Sequence, residues 1–589
     1  MTGLLRRHPI PLAVLVSLLL CLPTMGMPLW SDDHTHLLMI EDWLGLREPA
    51  AYTLQGQTDP LGLLNLFQFF VMPREQFAAD VAAGALPWWA DPDLSLGFWR
   101  PLPSFLELMD YRLFGLAPLG YHVHSMLWHL ALVGAVGLLH RRALPAAGAL
   151  ATLLYAMDDA RWLPMAWLAN RNALIAAVPA LLGLAAHLRW REDGWRPGAL
   201  LGPLGVAVGL TGGEAAVGSF AYFFAYEAFA APGAPRRRGL ALAPFVVLGG
   251  AWAVAYKTMG YGSSGSGLYI DPVGEPAAYL AAAGERAPIL VGAMLGMLPS
   301  EASTAVPALI PVAVALGLLA AGVVGAMLNA AWPELPEETR RGLRWLGPGA
   351  VLALAPILAT FPLDRLLLLP GIGGSAVIAV ALRWAWRRPR SRVRQGLGVA
   401  GVLLHVVLPL PMWVGFPMLF STENDKLDAL RASAFPEPEA LTDKDVVVLV
   451  ASDITIVMYM PAWGLLHDAP EPGSYQILSA VPRDHRITRT APDRLELEIL
   501  DGGLFDGMMT KLTRSPGRPF AVGDVVEQRG ATIEVLEVGP RGPTRLGVTL
   551  RGEREVYPIA WVDGALVPVA LPEVGASMLI PWTPGPMGL

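Results

Sequence analysis

Two adjacent acids and two histidines follow the first apolar segment, in the run Ser31-Asp32-Asp33-His34-Thr35-His36. Carboxylates at this position could act as a general base or bind a divalent cation. His34 and His36 are two residues apart and do not share a helix face, which weakens a zinc site. The alternative is a helix N-cap by Ser31 or Asp32 followed by solvated acids. Both interpretations stay open on spacing alone.

Arginines with neighbouring acids recur next to later apolar segments. Arg171 stands at a helix start, where both its guanidinium and the helix N-terminus could bind a phosphate. Arg100, before Pro101, could reach an anionic group or simply extend to lipid headgroups. Arg365 could contact a lipid phosphate, or form a turn together with Asp364. The other candidates of this kind are Asp158, Asp159, Arg161 and Glu214.

Simpler structural roles remain open for several of these residues. Asp158 and Arg161 could form a surface ion pair that stabilises little. Glu214 follows two glycines and has no basic neighbour in sequence. His122 follows Gly120-Tyr121, and His129 lies deep in an apolar segment, where a packing histidine with one hydrogen bond is the expected role.

The elements that hold these residues are membrane helices. The chain of 589 residues is 54% hydrophobic and only 16% charged, with a mean hydropathy of +0.45. Soluble domains contain about 25% charged residues. Uncharged runs such as 10–30 and 305–328 match the ~20 residues that cross a bilayer. The sequence therefore predicts a polytopic membrane protein.

About eleven spans emerge when all basic clusters are placed in the cytoplasm. The clusters are Arg6-Arg7, 140–142, 189–196, 236–238, 340–344 and 387–394. The spans are 8–30, 119–139, 143–157, 172–189, 198–212, 214–230, 239–258, 304–328, 345–361, 366–384 and 396–420. Segment 286–299 is expected to be a half-helix or interfacial piece; if it spans, every later orientation flips. The first span is read as uncleaved, with the N-terminus in the cytoplasm.

Two regions are expected outside the cytoplasm. Residues 31–118 form a long outer loop rich in Trp, Pro and acids, which we assign with the helices to a membrane domain of residues 1–421. Residues 422–589 contain β-branched runs such as 446–450, 532–538 and 545–550, separated by Gly and Pro turns. This tail is predicted to be a soluble β-rich domain.

Composition excludes some functions. The net charge of −7 gives no basic field for nucleic acid, and the single cysteine, Cys21, excludes an intrachain disulfide. A transporter or flippase would usually show internal repeats and charges at mid-membrane, whereas these charges gather at outer helix ends.

The order of the motifs resembles the GT-C superfamily of integral-membrane glycosyltransferases, and within it the bacterial relatives of protein O-mannosyltransferases and TMTC-type proteins. The matching elements are Asp32-Asp33, Arg100-Pro101, Gly120-Tyr121-His122 with His129, Ala166-Trp167 with Arg171, Glu214, and Asp364-Arg365 with Pro370. They cover about residues 20–385. The sequence departs from the family where relatives often have H-P-x-H-x-E, since Asp158-Asp159-Ala160-Arg161 stands there, and Gly213 replaces the basic partner of Glu214.

The resemblance implies an inverting transfer of a sugar from a polyprenyl-phosphate donor to an unidentified acceptor (protein, lipid or polysaccharide) at the outer face of a bacterial inner membrane. It makes Asp33 the base, with Asp32 second, and Arg171, Arg365 and Arg100 the donor-phosphate ligands. No cofactor is required, although a divalent cation is compatible with the Asp and His cluster. The alternative is a non-catalytic membrane anchor for the tail.

Overall fold

The computed structural model describes residues 8–71, 74–387, 391–442, 444–551 and 554–586. Arg6, Arg7 and residues 388–390 of the last basic cluster lie outside this part of the chain. The described chain divides into two compact units. One comprises residues 1–28, 98–259 and 271–421, and the other comprises residues 29–97, 260–270 and 422–589.

The first unit, called the helical unit, contains a helix at each predicted span. These helices are Pro9–Cys21, Pro118–Ala143, Gly148–Met157, Asn172–Asp193, Gly198–Gly212, Val217–Phe229, Pro235–Thr258, Ile310–Ala331, Glu337–Leu354, Pro370–Ala385, and Arg392–Val402, which continues through the π-helical turn Leu403–Val407 to Pro409–Phe420. Helices Pro101–Phe114, Trp162–Ala166, Pro276–Gly296 and Glu301–Ala305 complete it. The predicted class, a polytopic helical membrane protein, is confirmed.

Not every predicted span is long enough for a complete crossing. Seven helical stretches of the described chain have the length and hydropathy of a membrane span. Four others are short, at 10 residues for Gly148–Met157, 15 for Gly198–Gly212, 13 for Val217–Phe229 and 16 for Pro370–Ala385. Each ends near a Gly, Pro or charged residue that interrupts the apolar run, which the hydropathy pattern alone did not resolve.

One end of the helical unit gathers the predicted basic clusters. Glu192 accepts from Arg142 at 2.5 Å and pairs with Arg341 at 2.9 Å. Arg191 pairs with Glu227 at 2.7 Å. Three basic clusters far apart in sequence are therefore joined at one end, which we call the basic end.

The Pro276–Gly296 helix does not carry the chain to the basic end. Near its start, Tyr279 donates to the carbonyl of Ala355 at 2.7 Å, and after it Ser300 donates to Asp364 at 2.6 Å. Ala355 and Asp364 both belong to the connection between the helices Glu337–Leu354 and Pro370–Ala385. The chain thus enters and returns at the same end, as expected for a half-helix, although the helix is longer than the predicted segment 286–299.

The second unit, called the β-rich unit, contains the predicted strands of the tail. Its six-stranded sheet has the order Val525–Glu527, Ala531–Gly539, Gly542–Leu550, Arg494–Ile499, His485–Ala491 and Ser577–Ile580, all antiparallel. A four-stranded sheet has the order Ala565–Pro568, Glu555–Val562, Lys444–Val448 and Ser474–Ile477, with its last three strands parallel. The helices of this unit are Asp32–Trp43, Arg74–Ala83, Glu423–Ala434, Met460–Leu466 and Met508–Thr513.

Most of the outer loop belongs to the β-rich unit rather than to the helices, in contrast to the expected domain of residues 1–421. Strands Gln68–Phe70, Ser95–Gly97 and Gly262–Ser264 form one sheet, and strands Gln57–Thr58 and Leu64–Asn65 form another. Trp88 donates to the carbonyl of Leu478 at 2.9 Å, and Arg518 pairs with Asp91 at 2.8 Å. These long-range contacts join loop and tail, and no local pattern reveals them.

Candidate functional site

Arg161 is a cation of the helical unit that uses only part of its hydrogen-bonding capacity. Its side chain is fully buried, and its Nη2 lies 3.2 Å from Asp158, whose side chain is 20% exposed. Its guanidinium also lies 4.4 Å from the centre of the Tyr155 ring. Nε and Nη1 have no hydrogen-bond partner among the described residues. The predicted ion pair with Asp158 exists, but it is not a surface pair, because Arg161 is excluded from solvent.

The start of the Pro370–Ala385 helix lies against this guanidinium. A Cβ on Gly371 would overlap Nη2 of Arg161, so the arginine occupies space that only a glycine leaves open. A helix N-terminus presents free N–H groups and a positive dipole. A buried, partly unpaired guanidinium beside a helix N-terminus is an arrangement that suits an anion.

Three carboxyl groups lie close to this arginine. The segments Asp159–Arg161 and Asp364–Leu368 pack against each other. Asp364 accepts from Ser300 Oγ at 2.6 Å, and its backbone N–H donates to Glu301 at 2.7 Å. Burial, followed by repulsion from Asp158, raises the pKa of Asp159 to about 7. Burial and the nearby Glu301 raise the pKa of Asp364 well above its usual range. Asp159 can therefore hold a proton near neutral pH.

Arg171 is also fully buried, but it has a close partner. Its Nη2 lies 2.5 Å from Asp110, a carboxylate whose side chain is 4% exposed. Asp110 also contacts His124 Nδ1 at 2.8 Å, and Trp128 donates to His124 Nε2 at 3.0 Å. The sequence marks Arg171 as a phosphate ligand at an outer surface, whereas the structure shows a buried residue in an ion pair.

Arg100 and Glu214 form a pair that sequence analysis missed. Arg100 Nε donates to Glu214 at 2.9 Å, and the Tyr256 hydroxyl donates to the same carboxylate at 2.9 Å. Arg100 also lies 4.5 Å from the centre of the Phe98 ring. Glu214 has no basic neighbour in sequence, yet it obtains one 114 residues away.

The remaining candidates of the helical unit, Arg365, His122 and His129, lie against aromatic rings or a backbone carbonyl. Arg365 lies 4.9 Å from the centre of the Trp167 ring. His122 is buried, with Nε2 at 3.1 Å from the carbonyl of Met27. His129 is fully buried 5.7 Å from the Trp413 ring, and neither of its ring nitrogens has a hydrogen-bond partner in the described chain. The expected single hydrogen bond of His129 is therefore absent from that part.

The two adjacent acids belong to the β-rich unit. Asp32 begins a helix and accepts from the Tyr459 hydroxyl at 2.9 Å, and it keeps some exposed surface. Asp33 is fully buried and accepts from the backbone N–H of Trp30 at 3.3 Å. Ser31 precedes them with φ 59° and ψ −130°, a conformation that side chains rarely adopt. A strained residue next to two acids is typical of functional sites.

The histidines of this run are packed among aromatic rings. His34 lies 4.9 Å from the Trp463 ring, and burial lowers its pKa to about 3. His36 lies 4.9 Å from the Phe67 ring. Within the described residues there is no group of three or more His, Cys, Asp or Glu side chains placed to hold a metal ion. A cation role for this cluster finds no support in its geometry.

The structure therefore brings together one set of candidates within the helical unit. Arg161, Asp159 and Asp364 converge at the connection next to Gly371, and Glu301 joins them. Arg171 and Arg100 are instead held by Asp110 and Glu214. Sequence analysis missed Glu301, Asp110 and His124. Their only local signal is a charge or an imidazole within or beside an apolar run.

Comparisons with known proteins give a likeness in structure and no match in sequence. No protein-family model and no curated protein matches the chain. Among solved structures, the chain is similar to the crystal structure of ArnT from Cupriavidus metallidurans bound to undecaprenyl phosphate. The TM-score is 0.37 and the identity 13%, with 77% of this chain and 84% of that chain covered. A likeness of this extent assigns no activity to the chain.

Proposed function

We propose that the chain is a membrane glycosyltransferase of the GT-C kind, which transfers a sugar from a polyprenyl-phosphate donor to an extracytoplasmic acceptor. The observation that supports this most directly is Arg161. A fully buried guanidinium whose Nε and Nη1 have no partner in the described chain is costly unless an anion completes its hydrogen bonds. A phosphate fits this need, since it accepts several charge-assisted hydrogen bonds at once.

We propose Arg161 in place of Arg171 and Arg100, because Arg161 adjoins the N-terminus of the Pro370–Ala385 helix, whereas Arg171 and Arg100 lie against Asp110 and Glu214. Arg365, beside Trp167, is the second proposed ligand. The group leaving the sugar is a polyprenyl phosphate, which gains negative charge as the bond to the anomeric carbon breaks. Fixed cations at that point stabilise the charge in the transition state.

The proposed base is one of the two adjacent acids. The acceptor hydroxyl attacks the anomeric carbon, a carboxylate takes its proton, and the phosphate leaves from the opposite face, which inverts the anomeric configuration. Asp33 is the first candidate by resemblance. Asp32 is the more accessible group, because Asp33 is fully buried. We further propose that these residues act outside the cytoplasm, with the basic end facing the cytoplasm.

Binding and transfer measured separately test this function. Purified full-length protein is titrated with undecaprenyl phosphate, and transfer is followed with radiolabelled decaprenyl-phosphate mannose in membranes containing each variant. We expect Arg161→Gln to weaken binding at least tenfold, and Asp33→Asn or Asp32→Asn to abolish transfer while binding persists. Arg236→Gln, an exposed arginine outside the site, is the matched control.

The outcomes separate an enzyme from an anchor. Binding that is unchanged in Arg161→Gln refutes the phosphate site. Full transfer in both aspartate variants removes these acids from catalysis. A wild-type chain that binds no polyprenyl phosphate and transfers no sugar favours the non-catalytic anchor.

A further inference from the structure

A cavity of about 740 Å³ lies at the basic end of the helical unit, away from the connecting segment that holds Arg161. It is formed by the ends of the helices Pro118–Ala143 and Asn172–Asp193 and by the helix Gly198–Gly212. The last two helices touch through glycines, since a Cβ on Gly205 would meet the carbonyl of Pro179 at 2.5 Å. This close packing fixes the floor of the cavity.

The cavity wall is apolar and open at its side. Leu182, Leu201 and Leu204 line it and are 46%, 40% and 50% exposed. On helices of this hydropathy, exposed leucines contact acyl chains rather than water. The lining is therefore suited to a hydrocarbon chain.

Arginines and a tryptophan lie at one end of the cavity. Arg141, Arg142 and Arg189 line it together with Trp195, and the Arg189 guanidinium lies 4.2 Å from the centre of the Trp195 ring. Arg142 is neutralised by Glu192 and Asp193. For Arg141 and Arg189, no carboxylate of the described residues lies within the 4.0 Å of an ion pair. Arg189 lies within electrostatic range of Asp193, but neither arginine forms an ion pair with a described carboxylate, so both can contact an anion.

The length of the cavity corresponds to the thickness of one leaflet of the bilayer. Its lining on the Asn172–Asp193 helix extends from Pro179 to Arg189, ten residues apart. At ~1.5 Å per residue this distance is about 15 Å, half of the ~30 Å hydrocarbon thickness of a bilayer. A lipid whose headgroup contacts Arg141 and Arg189 would reach the bilayer midplane near Pro179.

We infer that this cavity binds one anionic glycerophospholipid from the leaflet at the basic end, with its phosphate at Arg141 and Arg189 and an acyl chain along Leu182 and Leu204. Basic pockets between membrane helices recognise such headgroups. The site is separate from the proposed donor site, so lipid binding here does not depend on the proposed function.

Lipid titration of the full-length protein, followed by native mass spectrometry, tests the inference. The probes are dioleoyl-phosphatidylglycerol and dioleoyl-phosphatidylcholine. We expect the first bound lipid to be phosphatidylglycerol, and the double variant Arg141→Gln/Arg189→Gln to weaken its binding about 30-fold, from ~1 kcal/mol per basic residue. The matched control is Arg236→Gln/Arg237→Gln, two exposed arginines of the same end that do not line the cavity.

A second variant tests the acyl-chain half of the site. Leu204→Trp fills the cavity without changing charge and should weaken binding of both lipids. Equal binding of the two lipids by the wild type, or unchanged phosphatidylglycerol binding in the double variant, overturns the assignment. The assignment would also be overturned, in favour of a polyprenyl lipid, if equimolar undecaprenyl phosphate displaced phosphatidylglycerol from the wild type but not from the double variant.

Discussion

The two fully buried arginines of the helical unit should respond very differently to the same substitution. Arg161→Met and Arg171→Met each remove a buried guanidinium whose Nε and Nη1 lack hydrogen-bond partners in the described chain, and Arg171 Nη2 lacks one as well. The difference on which the prediction rests is the carboxylate left behind. Asp158 is 20% exposed and can be hydrated, whereas Asp110 is 4% exposed and cannot.

The magnitude follows from that difference. Removing one partner of a buried ion pair costs about 3–5 kcal/mol, because an uncompensated charge remains. An ion pair with a hydrated partner contributes about 0–1 kcal/mol. We therefore expect Arg171→Met to be less stable than Arg161→Met by about 3 kcal/mol. Arg161→Met should nevertheless lose polyprenyl-phosphate binding, because its guanidinium is the proposed ligand.

The order of stability of the two variants is measured by thermal unfolding in one detergent. Unfolding is followed by tryptophan fluorescence and by the monodisperse peak that survives heating in gel filtration. The double variant Arg171→Met/Asp110→Asn is the control, since removing the stranded charge should recover most of the loss. If Arg161→Met and Arg171→Met lower the Tm equally, or if the double variant recovers nothing, the reasoning from carboxylate exposure is refuted.

Three other substitutions test separate features. Gly371→Ala should cost about 1–3 kcal/mol and weaken undecaprenyl-phosphate binding, because its Cβ displaces Arg161. Gly347→Ala, where a Cβ meets no described atom within 4 Å, should leave binding unchanged and should not lower the Tm, because alanine is about 1 kcal/mol more favourable than glycine inside a helix. Asp159→Asn should stabilise the fold relative to the wild type, by an amount that grows to about 4 kcal/mol as pH rises from about 4 to 7. The reason is that the raised pKa of Asp159 makes the folded wild type bind more protons than the unfolded chain in that range, so the wild type loses stability as pH rises. Equal Tm gains at pH 5 and pH 8 would contradict this. Ser31→Gly should raise the Tm by relieving about 1–3 kcal/mol of strain, and a lower Tm would mean that the hydroxyl matters more than the positive φ.

The helices and strands were predictable because their signals are local. Apolar runs mark each membrane helix, and the alternating burial along Ala531–Gly539 is the period that the sequence 532–538 shows. The half-helix was also foreseen, since charged residues such as Glu285 and Arg286 limit its apolar part. Only its first ten residues, which are mostly small, escaped prediction.

The pairing of the charges was not predictable, because it depends on contacts between distant segments. Arg100 finds Glu214 across 114 residues, and Arg171 finds Asp110 on another helix. The grouping of the outer loop with the tail has the same origin. Spacing alone marked Arg161 as a candidate, but only the structure shows that two of its buried guanidinium nitrogens have no hydrogen-bond partner in the described chain.

The energetics of Arg161 bear on whether the chain is an enzyme or an anchor. A protein that only holds its tail in a membrane gains nothing from a buried guanidinium whose Nε and Nη1 are unpaired in the described chain, since a buried unpaired donor costs about 1–3 kcal/mol. Methionine would fill the same volume without that cost. Arg161 stands in the segment where the sequence departs from the family that it resembles, so a loss of function should have altered this segment first. A costly cation beside a helix N-terminus and a glycine that admits it are instead what binding of an anion requires, which favours the enzyme.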